Sequence, residues 1–105
     1  MKLLHITATH LKPDGGVPVV LKELVTEQNK INNFESRVIS VVASVEEMHS
    51  PYFEYVPRKK FKSYLIEFNP DIVILHSFYY LEYNWVIRQL ESRQVKYYIC
   101  LLYTS

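Results

Sequence analysis

The chain has 105 residues, room for one domain and too short for a complete two-domain enzyme. Hydrophobic residues make up 49% and charged residues 22%, a composition that folds and that excludes a disordered segment. Twelve Lys and Arg against eleven Asp and Glu leave a formal net charge of +1, so no global field draws nucleic acid or an anionic membrane and any binding falls to a local site.

Residues 3 to 6, Leu-Leu-His-Ile, form an apolar, β-favouring run, and Lys12-Pro13-Asp14-Gly15-Gly16 follows with turn chemistry. From Val17 the apolar residues Val17, Val20, Leu21, Leu24, Val25 and Ile31 keep mostly helical spacing, with Pro18 where a first turn tolerates it. Asn32-Asn33 closes this helix, and Arg37 to Val42 reads as a second, β-branched strand. Strand, helix and strand make a βαβ unit. After a polar stretch ending in Pro51, Tyr52 to Val56 is a short third strand bounded by Pro57. Phe61, Tyr64, Leu65 and Phe68 mark a helix with Arg58, Lys59, Lys60 and Lys62 on its solvent side, stopped by Asn69-Pro70. Asp71-Ile72-Val73-Ile74-Leu75 reads as a strand buried on both faces, near the sheet centre. Tyr79, Tyr83, Val86, Ile87 and Leu90 continue as a helix to about Arg93, and Lys96 to Leu102 reads as the last strand.

This alternation predicts a Rossmann-like α/β domain, a parallel sheet with helices on both faces. With the common strand order 3-2-1-4-5, the chain reverses direction between the first strand and the strand at 71–75, and ligands bind at the carboxyl ends of those two strands. Segments 7–16 and 76–80 meet there.

The first segment holds both glycines of the chain, Gly15 and Gly16. Adjacent glycines at a helix N-terminus permit close backbone approach to an anion such as a phosphate, and they equally make a simple turn into the helix. The spacing fits neither the dinucleotide pattern nor a Walker loop. The second segment opens on His76, which can hydrogen-bond a sugar hydroxyl, carry a proton, or serve as a structural hydrogen-bonder. His5, inside the first strand, is expected to be a satisfied core residue, and His49 a loop residue. Ser77 beside His76 is not a hydrolase dyad, because neighbouring strand-end residues point apart and no G-x-S-x-G elbow surrounds them. No His-Cys-Asp cluster has ligand spacing, so no metal is expected.

The basic tetrad suits acidic lipids or a phosphate-bearing acceptor, or is a solvated helix face. Most of the nine tyrosines are expected to pack on the sheet. The single cysteine, Cys100, excludes an internal disulfide and reads as a small buried hydrophobe. The N-terminus carries no apolar stretch of signal-peptide length, and no run approaches a membrane span.

These residues resemble the N-terminal half of a GT-B fold, in the group-1 (family 4) retaining glycosyltransferases of bacterial cell-surface polysaccharide synthesis. The resemblance lies in M-K-L-L-H-I-T-A-T-H-L-K-P-D-G-G-V-P-V-V-L-K-E-L and in N-P-D-I-V-I-L-H-S-F, and it covers about residues 1–99. It implies that Gly15 and Gly16 approach the diphosphate of a nucleotide-sugar donor. It also implies that His76 is catalytic and sits near the transferred sugar, with Thr9, His10 and Ser77 as acceptor-side candidates. The implied partners are a nucleotide sugar, a glycan or lipid-linked acceptor and a second, C-terminal Rossmann domain; no nucleic acid and no cofactor are expected. The implied setting is cytoplasmic, with peripheral contact at the inner face of the membrane left open. Two departures stand out. Ile74 occupies the place of the first His in the family's H-x-H, and the chain closes on Ile-Cys-Leu-Leu-Tyr-Thr-Ser where the family has a Pro-His-Gly type turn. Residues 100–105 look like translated sequencing-adapter read-through and are expected to be a non-native or truncated tail, leaving a fragment inactive alone. The alternatives are a stand-alone flavodoxin-like module that binds a phosphate or a partner, and a small hydrolase, for which no nucleophile and base are found.

Overall fold

Each β-favouring run pairs with its neighbours in the computed structural model, which describes residues 1–7, 16–42, 51–76 and 82–100. The elements in chain order are β1 (Lys2–Thr7), α1 (Gly16–Gln28), β2 (Glu35–Ser40), β3 (Phe53–Tyr55), α2 (Arg58–Phe68), β4 (Ile72–His76), α3 (Glu82–Ser92) and β5 (Lys96–Cys100). The five strands form one parallel sheet, as the alternation predicts, and their order β3-β2-β1-β4-β5 is the common one. β1 lies at the centre, and the direction of winding reverses between β1 and β4. The domain is a Rossmann-like α/β fold.

The two faces of the sheet differ in chemistry. Strand alternation sends Leu4, Ile6, Ile39, Val73 and Leu75 to one face, where they pack with Phe61, Leu65 and Phe68 of α2 and Tyr83, Val86 and Leu90 of α3. On the other face Leu21 and Val25 of α1 pack with Val38 and Phe53. The register pairs Leu3 with Ser36, His5 with Val38 and Thr7 with Ser40, so every one of these residues shares the α1 face. The buried polar residues His5, Thr7, Ser36, Ser40 and His76 therefore all lie in the α1 layer, and the α2–α3 layer is built from aliphatic and aromatic side chains, the hydroxyl of Tyr83 among them.

Local chemistry explains the element ends. Asn29, just past α1, donates through Nδ2 to the carbonyls of Val25 (2.7 Å) and Ser36 (2.9 Å) and accepts from the Ser36 N–H through Oδ1 at 2.9 Å, which ties the helix end to the start of β2. Asn33 and Asn69 take left-handed φ values of 60° and 52° after α1 and α2, a conformation that asparagine tolerates. After α3, Val95 N–H bonds to the Leu90 carbonyl and Gln94 N–H to that of Glu91, while Gln94 adopts φ 58°, the bonding of a Schellman motif.

Several expectations are corrected. Val20 and Leu24 are exposed although their spacing fits the apolar stripe of α1, and Ile31, also exposed, lies past the helix end at Gln28. Among the described side chains of α1, Leu21 and Val25 pack with Val38 of β2 and Phe53 of β3. Asp71 precedes β4 and accepts the Lys2 N–H through Oδ2 at 2.7 Å, so it caps the amino edge of the sheet rather than joining the strand. β4 is buried on one face: Val73 and Leu75 are covered, while Ile72 and Ile74, on the α1 side, are half-buried. Tyr98 is exposed and Cys100 half-buried, because β5 is the outer strand beyond β4. His49, Tyr79, Tyr80 and residues 101–105 lie outside the described residues. No helix among the described residues is long and apolar enough to cross a membrane.

Candidate functional site

At the carboxyl ends of the three inner strands, each apolar run ends in a buried polar residue: Ile6-Thr7 on β1, Ile39-Ser40 on β2 and Leu75-His76 on β4. Burying such groups is costly without partners, so a polar cluster at this edge is a feature that the sheet holds against its own packing preference. This is the edge where winding reverses and where open α/β sheets bind ligands.

His76 is the sequence candidate that the structure places most fully. Its imidazole lies under the α1 layer, 2% exposed, with Nε2 2.8 Å from Nδ1 of the fully buried His5. The rings stack with centroids 5.0 Å apart and planes 29° apart. His5 Nε2 lies 3.1 Å from Oε1 of Gln28 at the end of α1, and the Ser36 hydroxyl donates to the same oxygen at 2.6 Å. A continuous hydrogen-bonded line thus runs from Ser36 on β2 through Gln28 and His5 to His76. His5 is a satisfied core residue, as expected, and is also the direct partner of His76.

Burial and the facing His5 ring push the His76 pKa down to about 3, and burial lowers that of His5 despite the Gln28 hydrogen bond. Both imidazoles are neutral at pH 7. A group so hard to protonate is a poor proton carrier at neutral pH, and of the three roles open to His76 the geometry favours hydrogen bonding.

The backbone of His76 is held from the other face. Tyr83 of α3 reaches the strand ends and donates its hydroxyl to the His76 carbonyl at 2.6 Å, with the Ile6 carbonyl 3.3 Å away. Sequence reasoning placed Tyr83 on a helix face and missed this contact; nothing in the spacing of Tyr83 distinguishes a packed ring from one whose hydroxyl finds a strand end. The polar residue that ends each strand run is a signal that sequence reading can use, and it would have added Ser40 to the candidates.

Gly16 is the first residue of α1, and Gly15, Thr9, His10 and Ser77 lie outside the described residues. The tetrad Arg58, Lys59, Lys60 and Lys62 is exposed on α2, away from His76, with the Arg58 guanidinium 5.8 Å from the Trp85 ring centroid. A depression of about 430 Å³ bordered by Glu35, Arg37, Tyr52 and Tyr64 lies by the starts of β2 and β3, at the opposite end of the sheet from the strand-end cluster. No family model, curated protein or solved structure matches the chain.

Proposed function

We propose that the chain is the acceptor-side domain of a retaining glycosyltransferase that moves a sugar from a nucleotide-sugar donor to a glycan or lipid-linked acceptor. The observation that carries this reading is His76. It sits buried and neutral at the end of β4, beside β1, at the edge where the winding reverses. The loops singled out from the sequence leave from the ends of these two adjacent strands, and the one after β1 leads into the N-terminus of α1 at Gly16.

In this reading His76 accepts a hydrogen bond from a sugar hydroxyl and orients it. Gly15 and Gly16 offer backbone N–H groups and the α1 dipole to the donor diphosphate. A second Rossmann-like domain, implied by the resemblance, holds the nucleotide. The bond from the anomeric carbon to the diphosphate breaks, the bond to the acceptor oxygen forms on the same face, and the acceptor proton passes to the leaving phosphate oxygen. Such a step needs stabilised charge and held hydroxyls more than a protein base.

The test is to recover the coding sequence around these 105 residues and express it beside the chain itself. Both are assayed for nucleoside diphosphate release from a panel of nucleotide sugars. Turnover by the longer form, lost in His76→Ala, is the expected result. A reading frame that stops near Ser105, with tight ligand binding and no turnover by the short chain, rejects the enzyme reading in favour of a binding module.

A further inference from the structure

The hydrogen-bonded line under α1 has a direction. An amide oxygen only accepts, so with Gln28 Oε1 facing His5 Nε2 at 3.1 Å the proton of His5 must sit on Nε2. A neutral imidazole carries one N–H, which leaves Nδ1 of His5 as a lone pair. That lone pair faces His76 Nε2 at 2.8 Å, so the proton between the rings belongs to His76. The Ser36 hydroxyl donates to the same Gln28 oxygen at 2.6 Å and extends the line onto β2.

From this geometry we infer that His5 is a positioning residue: together with Gln28 it holds His76 in the neutral tautomer protonated at Nε2, which puts the acceptor lone pair of His76 on Nδ1. The low pKa of both rings agrees with two neutral imidazoles sharing one proton between them. For the ligand's chemistry the inference rests on the glycosyltransferase reading, where His76 receives a sugar hydroxyl; the tautomer order itself requires only the chain as it stands. A histidine free to exchange tautomers would present a donor for part of the time and repel the hydroxyl proton it has to receive. His5 removes that ambiguity from a position inside the sheet that never touches the ligand.

The experiment is two-bond ¹H–¹⁵N correlation spectroscopy of the histidine rings in the 105-residue chain at neutral pH, with His76 assigned by its loss in His76→Gln. The expected spectrum shows a single His76 tautomer, Nε2 protonated and Nδ1 resonating as an acceptor. In Gln28→Leu, at the partly exposed end of α1, the order loses its origin and the His76 pattern moves to an average of the two tautomers. Protonation of His76 at Nδ1 in the unaltered chain overturns the inference. So does an unchanged single tautomer in a Gln28→Leu chain that keeps its fold. If Gln28→Leu does not fold, the spectrum of the unaltered chain decides alone. None of these outcomes depends on sugar transfer, so this inference and the proposed function fail separately.

Discussion

The Tyr83 hydroxyl donates to the carbonyl oxygen of His76 at 2.6 Å, so a side chain of α3 holds the backbone of β4 at the point where the strand gives way to the candidate site. The Ile6 carbonyl lies 3.3 Å from the same hydroxyl, which brings the end of the neighbouring strand under one anchor. Because the Tyr83 ring is fully buried, water cannot replace the hydroxyl at low cost.

Tyr83→Phe keeps the ring and removes only the donor. It is expected to cost about 1 kcal/mol, seen as a lower urea midpoint with an unchanged slope. Wild-type stability in this variant would mean that the contact contributes nothing net.

The parallel sheet and the placing of His76 at a strand end were legible in the sequence, because the period of the apolar residues and the β-branched runs are local properties. The strand order is the common one for such folds, and no local property specifies which strands pair. Side-chain partnership was not legible. His5 and His76 are separated by 71 residues, and only the register of β1 with β4 brings them to one face. The facing of α1 was legible only in part: spacing marks an apolar stripe but not how much of it the sheet covers, and Val20 and Leu24 proved to lie beyond it. Asp71 continues the apolar run by position, yet its carboxylate is better used on the Lys2 N–H.

Stability should fall on mild acidification. His5 and His76 both have folded-state pKa values below the unfolded histidine value of about 6.5. Below that pH the unfolded chain takes up protons that the folded chain refuses, so the contribution of the pair is full above it and is lost as pH falls toward the folded value of about 3 for His76. The slope reaches at most about 1.4 kcal/mol per pH unit for each ring. Neither Gln28 nor Ser36, the side chains that continue the line from His5, carries a charge that would offset this. Chemical denaturation from pH 7.5 to 5, a range chosen above most carboxylate titration, is the measurement. A flat profile would show that the rings titrate normally.

The Schellman turn after α3 places a glutamine where glycine is at ease. Gln94 has φ 58° and is exposed, so its side chain contributes little packing to set against the left-handed backbone. Gln94→Gly is expected to raise stability by roughly 0.5–1 kcal/mol, and Gln94→Val to lower it, because a β-branched residue resists this conformation. Thermal melts of the two variants should move in opposite directions from the parent.

Neighbouring leucines of α1 provide the sharpest check on how that helix sits. Leu21 is fully buried against β2 and β3, whereas Leu24 is 37% exposed, although both fit the apolar spacing of the helix. Leu21→Ala removes a side chain from a small cluster made with Val25, Val38 and Phe53, and the resulting cavity should cost about 2–5 kcal/mol. Leu24→Lys keeps a good helix former at a solvent-facing position and should change stability by no more than about 0.5 kcal/mol. Equal losses in the two variants would mean that α1 is rotated to bury Leu24 as well. Because Gln28 follows Leu21 and Leu24 along the same helix, such a rotation would also move its amide relative to His5, so this pair of denaturation curves tests the support beneath the histidines as well as the packing of the helix.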